Sequence, residues 1–571
     1  MSLRSIIKAL ISKTGYPYAI EPALARTARS QGDIPPEFYL EKLRGSDVFD
    51  ISIPQLGAAY KNLEFTAVEY TRFLIARIQS VNVYLECVIE INPDALQIAE
   101  ELDIERLGGK VRGPLHGVPV LVKDNIATKD KMQTTGGSWA LLGCVVPRDA
   151  HVVSLLRNAG AIILGHANMS EWASTRSRYY SDGYSPRGGQ SRNPFNLEQS
   201  PFGSSGGSAV SVSANIVPLS IGTETDGSIA GPSQSNSVVG IKPTPGLTSR
   251  SGVIPCSENF DTVGPFGRSV IDATLGLDAI VGADATDARS TGADRIKHGS
   301  YADFISDKTV LKGARFGLPI KGCWEFVPED QKKVAAKILD GIRAAGAEII
   351  DVDYPCAEER IPGRGIWDWE HGEPSKSEYT VVKVDAYNSL NAYFSELMNT
   401  GIRTVEDVVK FNTDNKGTEG AAPGDHPAFR TGHDVLIEII KDRGEKTLTY
   451  NEALKHIRYQ TRANGIDSAL QHVTENGESV TLDALILCDR RLVGQQLAAQ
   501  AGYPTITFPI GADKDGMPLG LTLQQTAWQE GKLIKWASAI EDLRNDIVGG
   551  RPLPTYKNKT AKNVPIRYDY T

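Results

Sequence analysis

The sequence has 571 residues, of which 41% are hydrophobic and 23% are charged, as is typical of a folded globular protein. Its 61 basic and 69 acidic residues give a formal net charge of −8 without any basic run, so nothing favours nucleic-acid binding. The absence of 18 consecutive apolar residues predicts that no segment spans a membrane. Six cysteines stand singly, without a C-x-x-C pair, which predicts a cytoplasmic protein.

The N-terminal part of the sequence predicts helices. Residues 1–15 predict a short amphipathic helix rather than a signal peptide, because two lysines interrupt the apolar run. A second amphipathic helix is predicted over residues 66–82, where Thr66 and Glu69 have the spacing of a capping box. Pro93 and the acidic residue after it are predicted to start a third helix.

Strands and helices alternate in the next part of the chain. Residues 117–125 predict a buried strand, since they are rich in β-branched side chains and lie between turn formers. A predicted helix over 149–157 precedes a strand over 161–165, and the small-residue segment 207–215 precedes a strand over 216–222. This alternation predicts an α/β fold.

Between residues 285 and 480 the pattern becomes irregular, and Gly/Pro-rich stretches there predict long loops around helices. A strand predicted at 501–511 then resumes the alternation. Because no linker-like composition separates the early units from the last one, we predict a single large domain at 46–548. An N-terminal helical extension at 1–45 and a C-terminal tail at 549–571 complete the predicted organisation.

No motif for a metal or a phosphate is present in the sequence. It lacks H-E-x-x-H, a Walker loop, an EF-hand pattern and a G-x-G-x-x-G after a strand. Its nine histidines are dispersed, and a lone histidine is more often a structural or surface residue than a ligand. We therefore predict no metal and no cofactor.

The stretch 200–232 is rich in serine and glycine but contains no histidine. Residues 203–207 match the G-x-S-x-G nucleophile elbow with Ser205 as nucleophile, but the apolar strand that precedes such an elbow is missing. A second interpretation makes Lys123 the base for a serine, because it ends an apolar strand and shares a face with Leu121. The alternative is a lysine that only pairs with a neighbouring carboxylate.

The surroundings of Lys123 resemble the amidase signature hydrolases, which use a Ser-Ser-Lys triad without histidine. The matching pieces include GPLHGVPVLVKDN around Lys123, GSSGGSAVSV at 203–212 and GTETDGSI at 222–229, followed by GIKPTPGLTSRSGVIP and AGYPTITFPIGADKDGMPLGL. The resemblance covers residues 50–545, with a signature core at 115–260. It implies an α/β amidase signature fold, with a large mixed central β-sheet flanked by helices on both faces.

Within that family the sequence is most similar to the peptide amidases. They share the wording ETDGSI, the EWA that follows the third block, and a segment like SPRGGQSRNP at 185–194. Peptide amidases remove the terminal amide from C-terminally amidated peptides. The resemblance therefore suggests a peptide amide or another small-molecule amide as the substrate.

The resemblance implies a role for each matching residue. Ser228 is expected to be the nucleophile that becomes acylated, Ser204 the bridging serine and Lys123 the base. The base must be neutral, so burial has to lower its pKa from about 10.4 towards about 7 to 8. The peptide bond between Gly203 and Ser204 is expected to be cis, with Gly203 and Ser205 supporting the site.

The turn that ends at Ser228, just before a helix, is expected to supply backbone N–H donors to an oxyanion. The donors are Thr225, Asp226, Gly227 and Ser228. This turn departs from the wording D-T-G-G-S-I-R of the wider family, because Glu224, Asp226 and Ala230 replace Asp, the first Gly and Arg. The Asp–Arg tie that supports the loop in many members cannot form. We interpret the change as subfamily variation and predict that Asp226 points away from the oxyanion.

The sequence thus predicts a hydrolase that cleaves carboxamide C–N bonds through an acyl-Ser228 intermediate. The alternatives are ester or carbamate hydrolysis by the same triad, a non-catalytic scaffold, and the role of an amidotransferase-like subunit. Trp367 and Trp369 are candidate residues of the acyl pocket. The loops expected to shape the acyl pocket are 285–300, 355–385 and 415–435. Family members are commonly dimers, so the resemblance also suggests a homodimer.

Overall fold

The structure is a computed structural model of the chain. It describes residues 31–32, 34–290, 299–359, 373–474, 476–488, 493–559 and 564–566. The predicted helix at 1–15 and the two tryptophans at 367 and 369 lie outside the described residues. The predicted division into an extension, one domain and a tail stays a prediction.

Fifteen strands are present in the described residues. They are β1 (Val88–Ile91), β2 (Pro119–Lys123), β3 (Ile162–Ala167), β4 (Tyr184–Ser185), β5 (Gly189–Gln190), β6 (Leu219–Glu224), β7 (Val239–Lys242), β8 (Thr262–Gly267), β9 (Arg315–Pro319), β10 (Glu348–Val352), β11 (Gln471–Val473), β12 (Ser479–Thr481), β13 (Ala484–Leu487), β14 (Thr505–Ala512) and β15 (Pro518–Gln524).

Eleven of these strands form one sheet in the order β1-β3-β2-β6-β8-β7-β14-β15-β13-β9-β10. The pairs β2/β3, β2/β6, β9/β13 and β9/β10 are parallel, and the other pairs are antiparallel. The pairs β4/β5 and β11/β12 form two small separate sheets. The large mixed central sheet that was predicted is therefore confirmed.

Fifteen α-helices are present in the described residues. They are α1 (Ile53–Lys61), α2 (Ala67–Leu85), α3 (Ala95–Leu107), α4 (His151–Asn158), α5 (Gly206–Ser213), α6 (Ala230–Ser235), α7 (Val270–Ile280), α8 (Glu329–Ala344), α9 (Glu378–Glu396), α10 (Val405–Asp414), α11 (Asp434–Lys441), α12 (Leu448–Thr461), α13 (Asp467–Leu470), α14 (Val493–Ala501) and α15 (Glu530–Val548). Among the helices of the described residues, none combines the length and the apolar character that crossing a bilayer requires.

Helices cover both faces of the sheet at β6. The side chain of Leu219 lies against Gly276 of α7, and the backbone of Gly222 lies against Ser205 at the start of α5. Residues three apart on a strand face opposite sides of the sheet. The strand is buried along its whole length, so the part of the chain that carries the candidate site is enclosed between two helical layers.

The predicted capping box is confirmed at the start of α2. The Thr66 side chain accepts a hydrogen bond from the Glu69 N–H at 3.2 Å, and the Glu69 carboxylate accepts one from the Thr66 N–H at 2.9 Å. The helix continues three residues beyond the predicted end at 82 and stops at Glu86, whose φ of 46° is left-handed.

The strand predicted over 216–222 is wrong at its start, since β6 begins at Leu219. The N–H groups of Ile216 and Val217 donate to the carbonyl of Ser211, at 2.9 and 3.3 Å. They therefore belong to the turn that ends α5. The apolar character of these residues reflects burial behind the helix rather than strand pairing.

Two further differences concern the C-terminal half. The strand predicted at 501–511 begins at Thr505, because α14 runs to Ala501 and the Tyr503 N–H then donates to the carbonyl of Ala498. The irregular region 285–480 also contains β9 and β10, which complete one edge of the central sheet. The Gly/Pro-rich composition of this region predicted only long loops around helices.

Replacing Thr66 by alanine should lower the free energy of unfolding by about 1 kcal/mol, because it removes the side-chain acceptor of an N-cap. Thr66→Ser, which keeps the hydroxyl, is the matched control. Urea unfolding followed by circular dichroism measures the difference. Equal stability of Thr66→Ala and the wild type would contradict the assigned cap.

Candidate active site

The candidate site lies at the carboxyl ends of two parallel neighbouring strands. In the pairing of β2 with β6, Val120 lies opposite Leu219 and Val122 opposite Ile221. Parallel strands that start in register also end at the same edge of a sheet. Lys123, the last residue of β2, therefore lies beside the last residues of β6.

The structure brings the three predicted triad residues into one chain of contacts. Lys123 Nζ lies 2.8 Å from Ser204 Oγ, and Ser204 Oγ lies 3.0 Å from Ser228 Oγ. The peptide bond between Gly203 and Ser204 is cis. Hydroxyl hydrogens can rotate to either neighbour, so this arrangement can move a proton from Ser228 through Ser204 to the amine.

The amine of Lys123 is completely buried. Burial lowers its pKa to about 7, because the ammonium form loses its hydration, while the nearby Cys256, Asp261 and Glu224 oppose the change. A pKa near neutrality is the one that a general base needs at physiological pH. The environment therefore gives the lysine the electrostatic property that the resemblance required.

The neighbouring carboxylate of Asp124 faces away from the amine. It accepts hydrogen bonds from Thr135 Oγ1 at 2.6 Å and from the Gly137 N–H at 2.8 Å, and His166 Nδ1 lies 2.8 Å away. Adjacent strand residues point to opposite faces, as predicted. Lys123 is therefore not the partner of Asp124, and His166 is a buried residue with its own hydrogen bonds.

Thr223 orients the amine, a contact that the sequence analysis missed. Lys123 Nζ lies 2.8 Å from Thr223 Oγ1 and 3.2 Å from the Thr223 carbonyl. A neutral amine has two N–H donors and one lone pair. When both oxygens of Thr223 accept its N–H groups, the lone pair faces Ser204. Its signal in the sequence was a hydroxyl residue directly after the strand predicted over 216–222.

Ser205 lies outside the chain of contacts from Lys123 to Ser228. Its hydroxyl donates to the Thr223 carbonyl at 2.9 Å and lies 3.3 Å from the Thr223 N–H. The residue is fully buried. These contacts fasten the start of α5 to β6 and leave Ser205 no access to a substrate, so the nucleophile-elbow interpretation has no support in this geometry.

The turn between β6 and α6 is held from two sides. Thr225 Oγ1 donates to Asp261 at 2.7 Å, and the Asp226 carboxylate accepts a hydrogen bond from Gln496 of α14 at 3.0 Å. Gly227 has a φ of 84°, a left-handed conformation that favours glycine. The oxyanion role of this turn and the direction of Asp226 relative to an oxyanion stay predictions.

The fold and the sequence of the chain are similar to those of known amidases. The X-ray structure of native peptide amidase from Stenotrophomonas maltophilia matches with a TM-score of 0.78 at 35% identity, covering 89% of this chain and 99% of that chain. This likeness shows that the protein has the α/β fold of that enzyme. The family model "Amidase" matches residues 69–534. The chain belongs to the amidase family.

Relatives in sequence agree with this assignment. "Putative amidase C869.01" of Schizosaccharomyces pombe is 45% identical over 533 residues, which cover 93% of this chain and 90% of that protein. A glutamyl-tRNA(Gln) amidotransferase subunit from Rhodopirellula baltica is 31% identical, covering 86% of this chain and 96% of that protein. The family therefore supports hydrolysis of an amide C–N bond.

Replacing Gly203 by alanine should destabilise the site, because a Cβ there would lie 2.3 Å from both Asp182 Oδ1 and Ser170 Oγ. Gly401→Ala is the matched control, since a Cβ at that position meets no atom within 4 Å. Thermal unfolding of both variants measures the effect. We expect a lower melting temperature for Gly203→Ala only; an unchanged value for both would contradict the tight packing at Gly203.

Proposed function

We propose that the protein hydrolyses carboxamide C–N bonds through an acyl-enzyme on Ser228, with Ser204 as the proton relay and Lys123 as the base. The observation that carries this proposal is the unbroken chain of contacts from Ser228 to a buried amine, 3.0 Å and then 2.8 Å long. Membership of the amidase family supports it.

In the first step Ser228 Oγ attacks the carbonyl carbon of the amide. Its proton passes to Ser204 as the proton of Ser204 passes to Lys123 Nζ, so the amine becomes an ammonium. The tetrahedral intermediate then collapses. Lys123 returns the proton through Ser204 to the leaving nitrogen, and ammonia or an amine departs while the acyl group stays on Ser228.

In the second step a water molecule attacks the acyl carbon. The same relay takes one proton from that water to Lys123 and then returns it to Ser228 Oγ, which releases the acid. The amine has the same protonation state before and after the cycle. The reaction therefore consumes one amide and one water molecule and needs no other reactant.

The oxyanion that forms in each step needs donors at a fixed position. We assign this role to the backbone N–H groups of the turn between β6 and α6. They belong to Thr225, Asp226, Gly227 and Ser228. Loss of one donor from such a site typically lowers the rate by about 10²- to 10³-fold.

The proposed substrates are C-terminal peptide amides or other small amides. Support comes from the 35% identity to the Stenotrophomonas maltophilia peptide amidase over 99% of that chain. A second structure of the peptide amidase contains the competitive inhibitor chymostatin. A cytoplasmic location is part of the proposal, because the six cysteines stand singly in the sequence without a C-x-x-C pair. The oligomeric state, including a homodimer, stays a prediction.

Ammonia transfer to a tRNA-bound acid is the second candidate function. The relative from Rhodopirellula baltica supports it, because its name is that of an amidotransferase component. Such a role requires partner subunits, whereas hydrolysis by the isolated chain does not. Activity of the purified protein alone therefore distinguishes the two, and the same assay with esters and carbamates tests those substrates.

Ser228→Ala and Lys123→Ala should each lower kcat for ammonia release by about 10⁴-fold or more, because each removes a member that the relay cannot replace. The assay uses aliphatic, aryl, amino-acid and C-terminally amidated peptide amides. Ser395→Ala, an exposed serine of α9, is the control. Full activity of either active-site variant would contradict the proposed mechanism.

The pH profile of kcat/KM should rise to a plateau with a midpoint near pH 7. The reason is that the Lys123 pKa is about 7, and only the unprotonated amine can accept the proton. Activity is therefore lost as the pH falls through this value. Initial rates between pH 5 and 9 on the best amide measure the profile, and a rate that does not fall below pH 7 would exclude Lys123 as the base.

A further inference from the structure

Glu224 closes the turn that carries the proposed nucleophile. It is the last residue of β6, and its side chain is buried. Its Oε2 accepts hydrogen bonds from the N–H groups of Ile229 at 2.6 Å and Ala230 at 3.0 Å. These are the two N–H groups that directly follow Ser228. One carboxylate thus spans the turn from the strand end to the helix start.

This contact explains how the turn keeps its shape without the arginine of the wider family. Position 230 is alanine, so a tie between an acid and an arginine cannot form. Glutamate is one methylene longer than aspartate, and the extra length lets its carboxylate reach the N–H groups of Ile229 and Ala230. Hydrogen bonds to a charged acceptor are about twice as strong as neutral ones.

Burial of a carboxylate is costly unless hydrogen bonds and a positive charge compensate for the lost hydration. Lys242, the last residue of β7, is buried, and its Nζ donates to the Pro243 carbonyl at 3.2 Å. Burial lowers the pKa of Lys242 to about 8, and the carboxylates of Glu224 and Glu530 oppose this change. Thr262, which lies opposite Glu224 in the pairing of β6 with β8, donates its hydroxyl hydrogen to the same Pro243 carbonyl at 3.4 Å, so Lys242 and Glu224 share a neighbour. Glu530 is also buried, at the start of α15, and accepts a hydrogen bond from the Thr244 N–H at 2.7 Å.

We propose that Glu224 is a positioning residue, which shapes the turn of residues 225–228 for reaction at Ser228, and that the ammonium of Lys242 balances its negative charge. The proposal rests on the proposed function, because it takes Ser228 as the nucleophile. Glu224 touches neither the substrate nor the reacting atoms. It acts through the backbone that carries them.

Two variants of Glu224 separate the effect of its charge from the effect of its hydrogen-bond acceptor. Glu224→Gln removes the charge but keeps an oxygen that can accept both N–H groups, whereas Glu224→Ala removes the acceptor. We expect Glu224→Ala to lose about 10²-fold in kcat with little change in KM, the loss typical of a displaced oxyanion donor. Glu224→Gln should restore most of that rate. A Glu224→Ala variant with the wild-type kcat, or a Glu224→Gln variant as slow as Glu224→Ala, would overturn the proposal.

The pH profile supplies a readout that a merely structural residue would not change. The negative charge of Glu224 favours the ammonium form of Lys123 and so raises the pKa of that lysine. In Glu224→Gln this effect is absent, so the acid limb of kcat/KM should move to lower pH. An acid limb that stays in place would contradict the electrostatic coupling between Glu224 and the active site.

The role of Lys242 is tested by a double-mutant cycle. Lys242→Met should lower kcat when Glu224 is present and should have a smaller effect when Glu224 is already glutamine. This cycle does not use Glu224→Ala, so it remains informative if that variant does not fold. Equal effects of Lys242→Met in both backgrounds would overturn the charge-balancing part of the proposal.

Labelling with a fluorophosphonate separates failure of this proposal from failure of the proposed function. The reagent requires a reactive serine but no amide substrate, and peptide mapping identifies the labelled residue. If the wild-type protein is labelled at Ser228 but releases no ammonia, the proposed class of substrate is wrong. The labelling rates of the variants then test the role of Glu224. A wild-type protein that is not labelled at Ser228 would overturn both proposals.

Discussion

The proposed transfer of a proton from Ser204 Oγ to Lys123 Nζ depends on the burial of the lysine amine. A hydrated lysine would be charged at neutral pH and could accept no proton. Burial at the end of β2 removes that hydration, and the parallel strand β6 replaces it with two oxygens of Thr223. The sheet and the helices on its two faces enclose this side chain and leave its amine in contact with Ser204.

The last two residues of β6 contact different parts of the proposed active site. Thr223 contacts the amine, and Glu224 binds the N–H groups at the start of α6. The end of one strand therefore holds both the proposed base and the turn that carries Ser228. A shift of the strand by one residue would exchange the two side chains. The register with β2 is therefore a functional constraint as well as a structural one.

Local signals predicted much of this fold, and long-range contacts account for what was missed. The capping box at Thr66 and the apolar run of β2 are visible in a few adjacent residues. β10 was missed because its sequence EIIDV is acidic at two of its five positions and partly exposed at a sheet edge. The orienting contact of Thr223 joins residues 100 positions apart, and Lys242 lies 18 positions from Glu224. The sequence motifs identified the three triad candidates, but the residues that contact and orient them are visible only in the folded structure.

The buried amine of Lys123 also has a thermodynamic consequence. Its pKa is about 7 in the folded chain, against an ordinary value of 10.5. Between these values the unfolded chain binds more protons than the folded one, so this group makes the protein more stable as the pH rises. Its unfavourable contribution is fully present below pH 7 and disappears towards pH 10.5. A rise in pH above 7 therefore favours both the folded state and the neutral amine that the proposed reaction needs. An apolar side chain at position 123 would stabilise the protein and remove the proposed proton acceptor.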